Sequence, residues 1–250
     1  MLAALPQLEL DADGEALVLT HAAVALEMTT SALHEQALEH AVAAVAAARR
    51  WAPSRLAVAL AIEGAVAVET RTDLASAAVA EAYDLLLSSD VGDDAAPVAA
   101  NVGWTLFALE RPVDALRVIE RGVASLPAGA VPTYLTIHHA WALLLGGEPA
   151  RALSGFVTAL EGETTCETRW HADVFTGAGC ALAQLGCEEA RAVLDGAAAL
   201  VERTGHTLAG WQVALVRRTR EDLSGSPGSW ITTRDGSGAV LAAMVREAAG

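Results

Sequence analysis

A small residue returns at nearly constant spacing along this chain. Ala25, Gly64, Gly103, Ala140 and Gly179 are separated by 39, 39, 37 and 39 positions. A second series, Ala37, Ala77, Ala115, Ala152 and Ala190, follows with steps of 40, 38, 37 and 38. Between these marks apolar residues recur at helical spacing, broken by short Gly, Pro, Asp and Ser stretches, and period-two runs are nearly absent. The pattern predicts an all-α chain: an antiparallel, right-handed helix-pair array of five to six helix pairs with a C-terminal capping helix. The expected spans are 15–28, 32–50, 54–70, 73–88, 97–109, 112–126, 133–145, 149–161, 168–185, 187–203, 207–222 and 238–248. Ser31, Asp73 and Asp94 are the expected N-caps. Pro112 and Pro149 suit first-turn positions, where a missing N–H costs nothing.

The spacing has a physical reading. Gly103 on one helix, with Ala115 and Gly122 on the next, falls where two backbones approach. A larger side chain there forces the helices apart or strains rotamers, at roughly 1–3 kcal/mol per site. Pro127 then stops the second helix, because the residue before a proline is pushed out of the α region. No helix pair can bury its own apolar face, so neighbours must stack.

Composition narrows the functional classes. The chain has 250 residues, 53% of them hydrophobic and only 4% aromatic, with alanine dominant. Its net charge is −15, and all 16 basic residues are arginine. Without lysine there is no Schiff-base nucleophile, pyridoxal anchor or P-loop lysine. The acidic balance argues against nucleic acid. Arg217, Arg218 and Arg220 form the one basic run, read as a solvated helix end. The three cysteines, at 166, 180 and 187, are too few and too scattered for a disulfide framework or a structural zinc site, and read as buried free thiols. The stretch from Arg121 to Glu148 lacks charge but is broken by Pro127, Pro132, Gly146 and Gly147, so a buried helix between loops is expected there. With no basic leader at the N-terminus, a cytoplasmic location is expected.

The segments "GWTLFALERPVDALRVIERGV" and "AWALLLGGEPARALSGFVTAL" share a small residue and Trp, a gap, x-P-x-x-A-L, then a large apolar and a small residue. This arrangement resembles the tetratricopeptide (TPR) repeat. It matches best at Gly103, Ala115, Ile119, Gly122 and Pro127, and well at Gly147, Ala152, Phe156 and Ala159. Ala99 stands where the family has Trp and Leu106 where it has Tyr, and the period is 37–40 rather than 34. The long period resembles the helical-repeat region of large MalT/LuxR-type bacterial regulators, over roughly residues 15–205. The ATPase and DNA-binding parts of such regulators are not in this chain. The resemblance implies a TPR-like helical-repeat domain over 1–223, then a Gly/Ser-rich loop and a capping helix over 224–250, with Trp230 beneath that helix. It also implies a concave groove in transcription regulation or another regulatory setting.

Trp104 and Trp141 fall at equivalent places, followed three residues on by Phe107 and Leu144. Tyr134 and Ile137 precede Trp141 on its stripe. In the TPR family this stripe lines the groove, which the resemblance places near the middle of the array. The alternative is that these aromatics fill the core. Arg151 or Arg169 would orient an anionic group. His138 and His139 point about 100° apart on a helix, so they do not ligate one metal together. "HEQALEH" at 34–40 spaces its histidines six apart rather than the four of a zinc protease. His171 lies near the cysteines without the close pairing of a zinc site. "GAGCALAQLG" lacks the third glycine and the preceding strand of a dinucleotide fingerprint. Asp90, Asp93 and Asp94 lack the ordered loop of a calcium site. No metal or cofactor is expected.

The leading expectation is a non-enzymatic binding module for protein–protein interaction. It would hold a protein or peptide partner, or an apolar small molecule, in a central aromatic groove, with no role for nucleic acid or membrane. A second class is a small helical tailoring enzyme with His138, His139, His171 and Tyr134 as acid–base groups. A third is a homo-oligomeric structural protein.

Overall fold

The computed structural model describes residues 13–30, 33–88, 91–127, 129–161, 168–205 and 208–225. Among the described residues there are eleven α-helices and no strand. They are α1 (Gly14–Thr30), α2 (His34–Trp51), α3 (Leu56–Ala67), α4 (Thr72–Ser88), α5 (Ala95–Ala108), α6 (Pro112–Ala124), α7 (Thr133–Leu145), α8 (Pro149–Glu161), α9 (Thr168–Gln184), α10 (Ala190–Thr204) and α11 (Gly210–Gly225). Single 3₁₀ turns, Pro53–Arg55 and Gly92–Asp94, lead into α3 and α5. Each helix overlaps one of the expected spans. The expected span 238–248, the rest of segment 226–250 with Trp230, and the expected cap Ser31 lie outside the described residues. None of the described helices is long and apolar enough to cross a membrane.

The chain divides into two compact units, Met1–Ala130 and Val131–Gly250. In the first, α1 pairs with α2, α3 with α4 and α5 with α6, and each new first helix packs on both helices of the pair before it. In the second, α7 pairs with α8 and α9 with α10, and α11 packs on α9 and α10. This is an array of helix pairs within each unit.

The glycines sit where the helices come closest. A Cβ at Gly64 would lie 2.7 Å from Val79 Cγ2, one at Gly103 2.8 Å from Ile119 Cδ1, and one at Gly179 2.7 Å from Leu194 Cγ. In all three the first helix of a pair exposes bare backbone to a branched side chain of the second. Gly122 reverses the relation: its Cβ would meet the Ala99 methyl at 2.5 Å. Ala115, at the same crossing, is fully buried. These distances leave no room for a side chain, so the sequence spacing is a record of helix contact.

The period also appears as long-range polar contacts. The Arg55 guanidinium joins Glu15, 40 residues before it, to Asp94, 39 after it. Its bonds to Glu15 and then to Asp94 hold it more firmly protonated than usual. In the second unit Gln212 donates to Asp173 Oδ1 at 3.0 Å and Thr219 donates to Cys180 Sγ at 3.7 Å, each across 39 residues. Equivalent positions on successive first helices therefore face each other. Asp94 holds the expected N-cap position of α5, but its side chain makes no capping bond there and its carboxylate pairs with Arg55 instead. Asp73 lies one residue inside α4 rather than before it. Asp13, which the sequence did not single out, caps α1 by accepting from Ala16 N at 3.0 Å.

Three pairs share one turn. Arg111 N donates to Leu106 O, Glu148 N to Leu143 O and Cys187 N to Leu182 O, at 2.8, 2.8 and 2.9 Å. These are six-to-one bonds, which close a helix when the residue before the donor is left-handed. That residue is Gly147 (φ 84°) in one turn, Gly186 (φ 73°) in another and Glu110 (φ 57°) in the third. A side chain in this conformation costs roughly 1 kcal/mol or more. Glu110→Gly is therefore expected to stabilise the first unit by about 0.5–1 kcal/mol, after the entropy glycine loses on folding. Urea titration of the two proteins measures it.

Candidate functional site

The first helices of residues 13–130 are apolar on nearly every side. In α3, Ala57, Ala59, Leu60, Ala61, Ile62, Glu63, Gly64, Val66 and Ala67 are all buried. Between Ala57 and Ala67 only Val58 and Ala65 are half-buried. In α5 the half-buried positions are Pro97, Asn101, Trp104 and Ala108, one helical stripe. In α1 the exposed apolar stripe is Leu19, Ala23 and Leu26, with Leu19 41% and Leu26 38% exposed. These stripes are one face. Leu19, Val58 and Pro97 are 39 residues apart in turn, and so are Leu26, Ala65 and Trp104. The three helices lie side by side, α1 on α3 and α3 on α5. Glu27, Glu69 and Glu110 stand near the C-terminal ends of the same helices, all exposed. The partial negative charge of each helix end adds to theirs. The structure thus presents an apolar face bordered by acid.

The expected groove residues are placed differently. Trp141 is fully enclosed, edge-on to Phe156 (centroids 5.4 Å apart, 79° between planes) and to Trp211 (5.0 Å, 90°). Its indole nitrogen is buried with no hydrogen-bond acceptor among the described residues. Ile137, Leu144 and Phe107 are also buried. These four are core and line no open groove. Alanine supplies little volume, so the few large side chains on the first helices fill the space it leaves. Trp104 and Tyr134 remain half-buried. They belong to different compact units, and burial pushes the Tyr134 hydroxyl above its usual range.

Arg151 is exposed and paired with Glu148 at 2.6 Å on its own helix. The Arg169 side chain lies outside the described residues. His138 is buried on α7, and His139 half-buried beside it. His171 is half-buried, its ring 6.2 Å from that of Phe175. Among the described residues no group of three His, Cys, Asp or Glu could hold a metal ion. Asp90 and Cys166 lie outside the described residues. Cys180 and Cys187 are buried, and burial lifts the Cys180 thiol to about 11, against the weaker opposing pull of Thr219. Arg220, from the basic run, donates to Leu194 O at 3.2 Å and pairs with Asp195 at 2.9 Å.

One buried acid was not anticipated. Glu63 is enclosed on α3, near the ion pair that Arg49 of α2 makes with Glu81 of α4 at 2.5 Å. Burial raises its carboxyl above the ordinary range, Arg49 opposes this and Glu81 adds to it. Between the ordinary value and the raised one, the folded chain holds a proton that the unfolded chain has released. Stability from this group therefore falls as pH rises through that window. Glu63→Gln should flatten the dependence, so that the variant gains on the wild type as pH rises above the ordinary carboxylate range in urea unfolding. A parallel pair of pH profiles would contradict it.

The signal that locates the apolar face is in the sequence. It is the ladder Ala25–Gly64–Gly103 displaced by one position to Leu26–Ala65–Trp104, and by six to Leu19–Val58–Pro97. No protein-family model, curated protein or solved structure matches the chain.

Proposed function

We propose that this chain is a non-enzymatic binding module whose apolar face on α1, α3 and α5 holds a peptide segment of a protein partner. The observation that carries the reading is the 39-residue register of Leu19, Val58 and Pro97 with Leu26, Ala65 and Trp104 on the open stripes of α1, α3 and α5. A face built from equivalent positions is extended and continuous, which suits a strand or helix lying across the repeats better than a compact molecule. The acidic border and the net charge of −15 favour a partner carrying Lys or Arg beside its apolar residues. Trp104, aromatic and half-buried, is the anchor of the contact.

The probe is a synthetic amphipathic helix with a leucine face and a lysine face, titrated against the intact chain. Binding should shift tryptophan emission, and Trp104→Phe should remove most of the change. Ala65→Arg, which fills the middle of the face with bulk and charge, should weaken binding at least about tenfold, or about 1.4 kcal/mol. Equal binding of a scrambled peptide, or indifference to Ala65→Arg, would contradict the reading.

A further inference from the structure

The second histidine of the segment "HEQALEH" has a partner that the sequence does not show. His40 on α2 and His21 on α1 meet through their Nδ1 atoms at 2.9 Å. Their ring centroids are 5.1 Å apart, about the separation of two imidazoles whose facing nitrogens point straight at each other. That alignment is a linear N–H···N hydrogen bond. A metal ion shared in line between the rings would need roughly 4 Å. His21 is buried and His40 half-buried.

Proton counting decides what the pair can do. With both rings neutral, one carries its hydrogen at Nδ1 and donates, and the other carries it at Nε2 and accepts. A first added proton goes to the far nitrogen of the donating ring, and the bond survives as a charge-assisted one. A second must go to the accepting Nδ1. The bond is then lost, and two cationic N–H groups face each other.

Neither helix places a carboxylate one turn from the pair. Those positions are Leu17, Val18, Val24 and Ala25 around His21, all buried, and Gln36, Ala37, Ala43 and Ala44 around His40. The acids of α1, Glu15 and Glu27, stand six residues to either side of His21, and Glu15 is paired with Arg55. α2 carries His34, Glu35, Glu39, Arg49 and Arg50, and Glu39, next to His40 in sequence, is exposed. α3 contributes one titratable side chain, Glu63, whose charged neighbours are Arg49 and Glu81. Apart from Val45, every buried residue of α2 is alanine. A methyl has no rotamer to change, so this interface cannot repack around two facing cations.

We infer that the His21–His40 pair is a proton-operated latch that holds α1 to α2 and releases it when both rings are charged. Closed α1 keeps at most one added proton on the pair, and released α1 takes two. Acid therefore favours release, by up to about tenfold for each pH unit below about 6.5, where an ordinary histidine charges. Release would also carry Leu19 and Leu26 off the apolar face. That consequence rests on the peptide-binding reading, whereas the latch does not.

Amide hydrogen exchange of the intact chain, with no peptide present, tests the latch alone. Protection factors of α1 amides, which divide out the intrinsic pH dependence of exchange, should fall at least about tenfold between about pH 7.5 and about pH 5. His40→Asn sets an amide near the place of the imidazole Nδ1, and its oxygen can accept from a charged His21. The fall should then shrink to about twofold or less. His21→Leu with His40→Leu removes both charges and should level the profile in the same way. Nitrogen-15 spectra of the wild-type rings at neutral pH should show one histidine in the Nδ1–H form and one in the Nε2–H form. A wild-type fall no larger than that of a folded variant, or two rings both in the Nε2–H form, would overturn the inference.

Discussion

Trp141→Ala is expected to destabilise the second unit by about 3–5 kcal/mol. The indole is fully buried, and two aromatic rings meet it edge-on, Phe156 from α8 and Trp211 from α11. Truncation removes the transfer energy of a large side chain and leaves a cavity. That cavity cannot close from the Phe156 side. Phe156 is fixed against the bare backbone of Gly177, where a Cβ would overlap three of its ring carbons. Each edge-on ring pair is worth roughly a further 0.5–1.5 kcal/mol. Trp104→Ala, at a half-buried position, should cost much less and should instead weaken partner binding. The pair of variants separates core from contact surface. Hydrogen exchange of α7, α8 and α9 amides, read beside urea unfolding, measures the loss where it occurs. Exchange unchanged in Trp141→Ala would show that the side chain is not structural.

The second large effect is Gly122→Val, expected to cost about 3 kcal/mol, the top of the range for overpacking. A Cβ at this position lies 2.5 Å from the Ala99 methyl and 3.5 Å from both Ala95 O and Ala96 Cα. Two of those three neighbours are main-chain atoms and the third is a methyl with no rotamer. Relief therefore requires α5 and α6 to move apart. The helix propensity that valine gains over glycine, a few tenths of a kcal/mol, does not offset this. Gly103→Ala is the informative contrast. Its Cβ meets the Ile119 side chain at 2.8 Å, and Ile119 can turn, so the loss should be about 1 kcal/mol. Thermal or urea unfolding of the three proteins gives the order directly.

Much of the fold was legible because the second helices are amphipathic. In α6, Asp114, Arg117, Glu120 and Arg121 mark the wet side, while Ala115, Val118, Ile119 and Gly122 are buried. Pro112 and Pro149 begin α6 and α8 as their chemistry requires. The first helices carry no such mark. α3 reads apolar almost throughout, and α9 is buried at every position from Ala172 to Leu182. A helix covered on most sides needs no polar stripe, so its open side cannot be told from its core side by hydropathy. That is why the stripe of Trp141, Ile137 and Leu144 read equally as groove or core. It is also why Leu19, Val58 and Pro97 attracted no notice. Asp94 shows the same limit on a smaller scale. Its place before a helix suggests a cap, but Arg55 lies 39 residues earlier in sequence and adjacent in space.

Small residues fall where the backbones of paired helices touch, and a double-mutant cycle at Gly122 and Ala99 tests this most directly. Gly122→Ala adds a methyl to α6, and Ala99→Gly removes the one it would strike on α5. The double variant is expected to be more stable than the sum of the single changes by at least about 1 kcal/mol, because the methyl has only moved across the contact. Additivity within about 0.5 kcal/mol would mean that the two positions do not touch, and would contradict helix contact as the origin of the spacing.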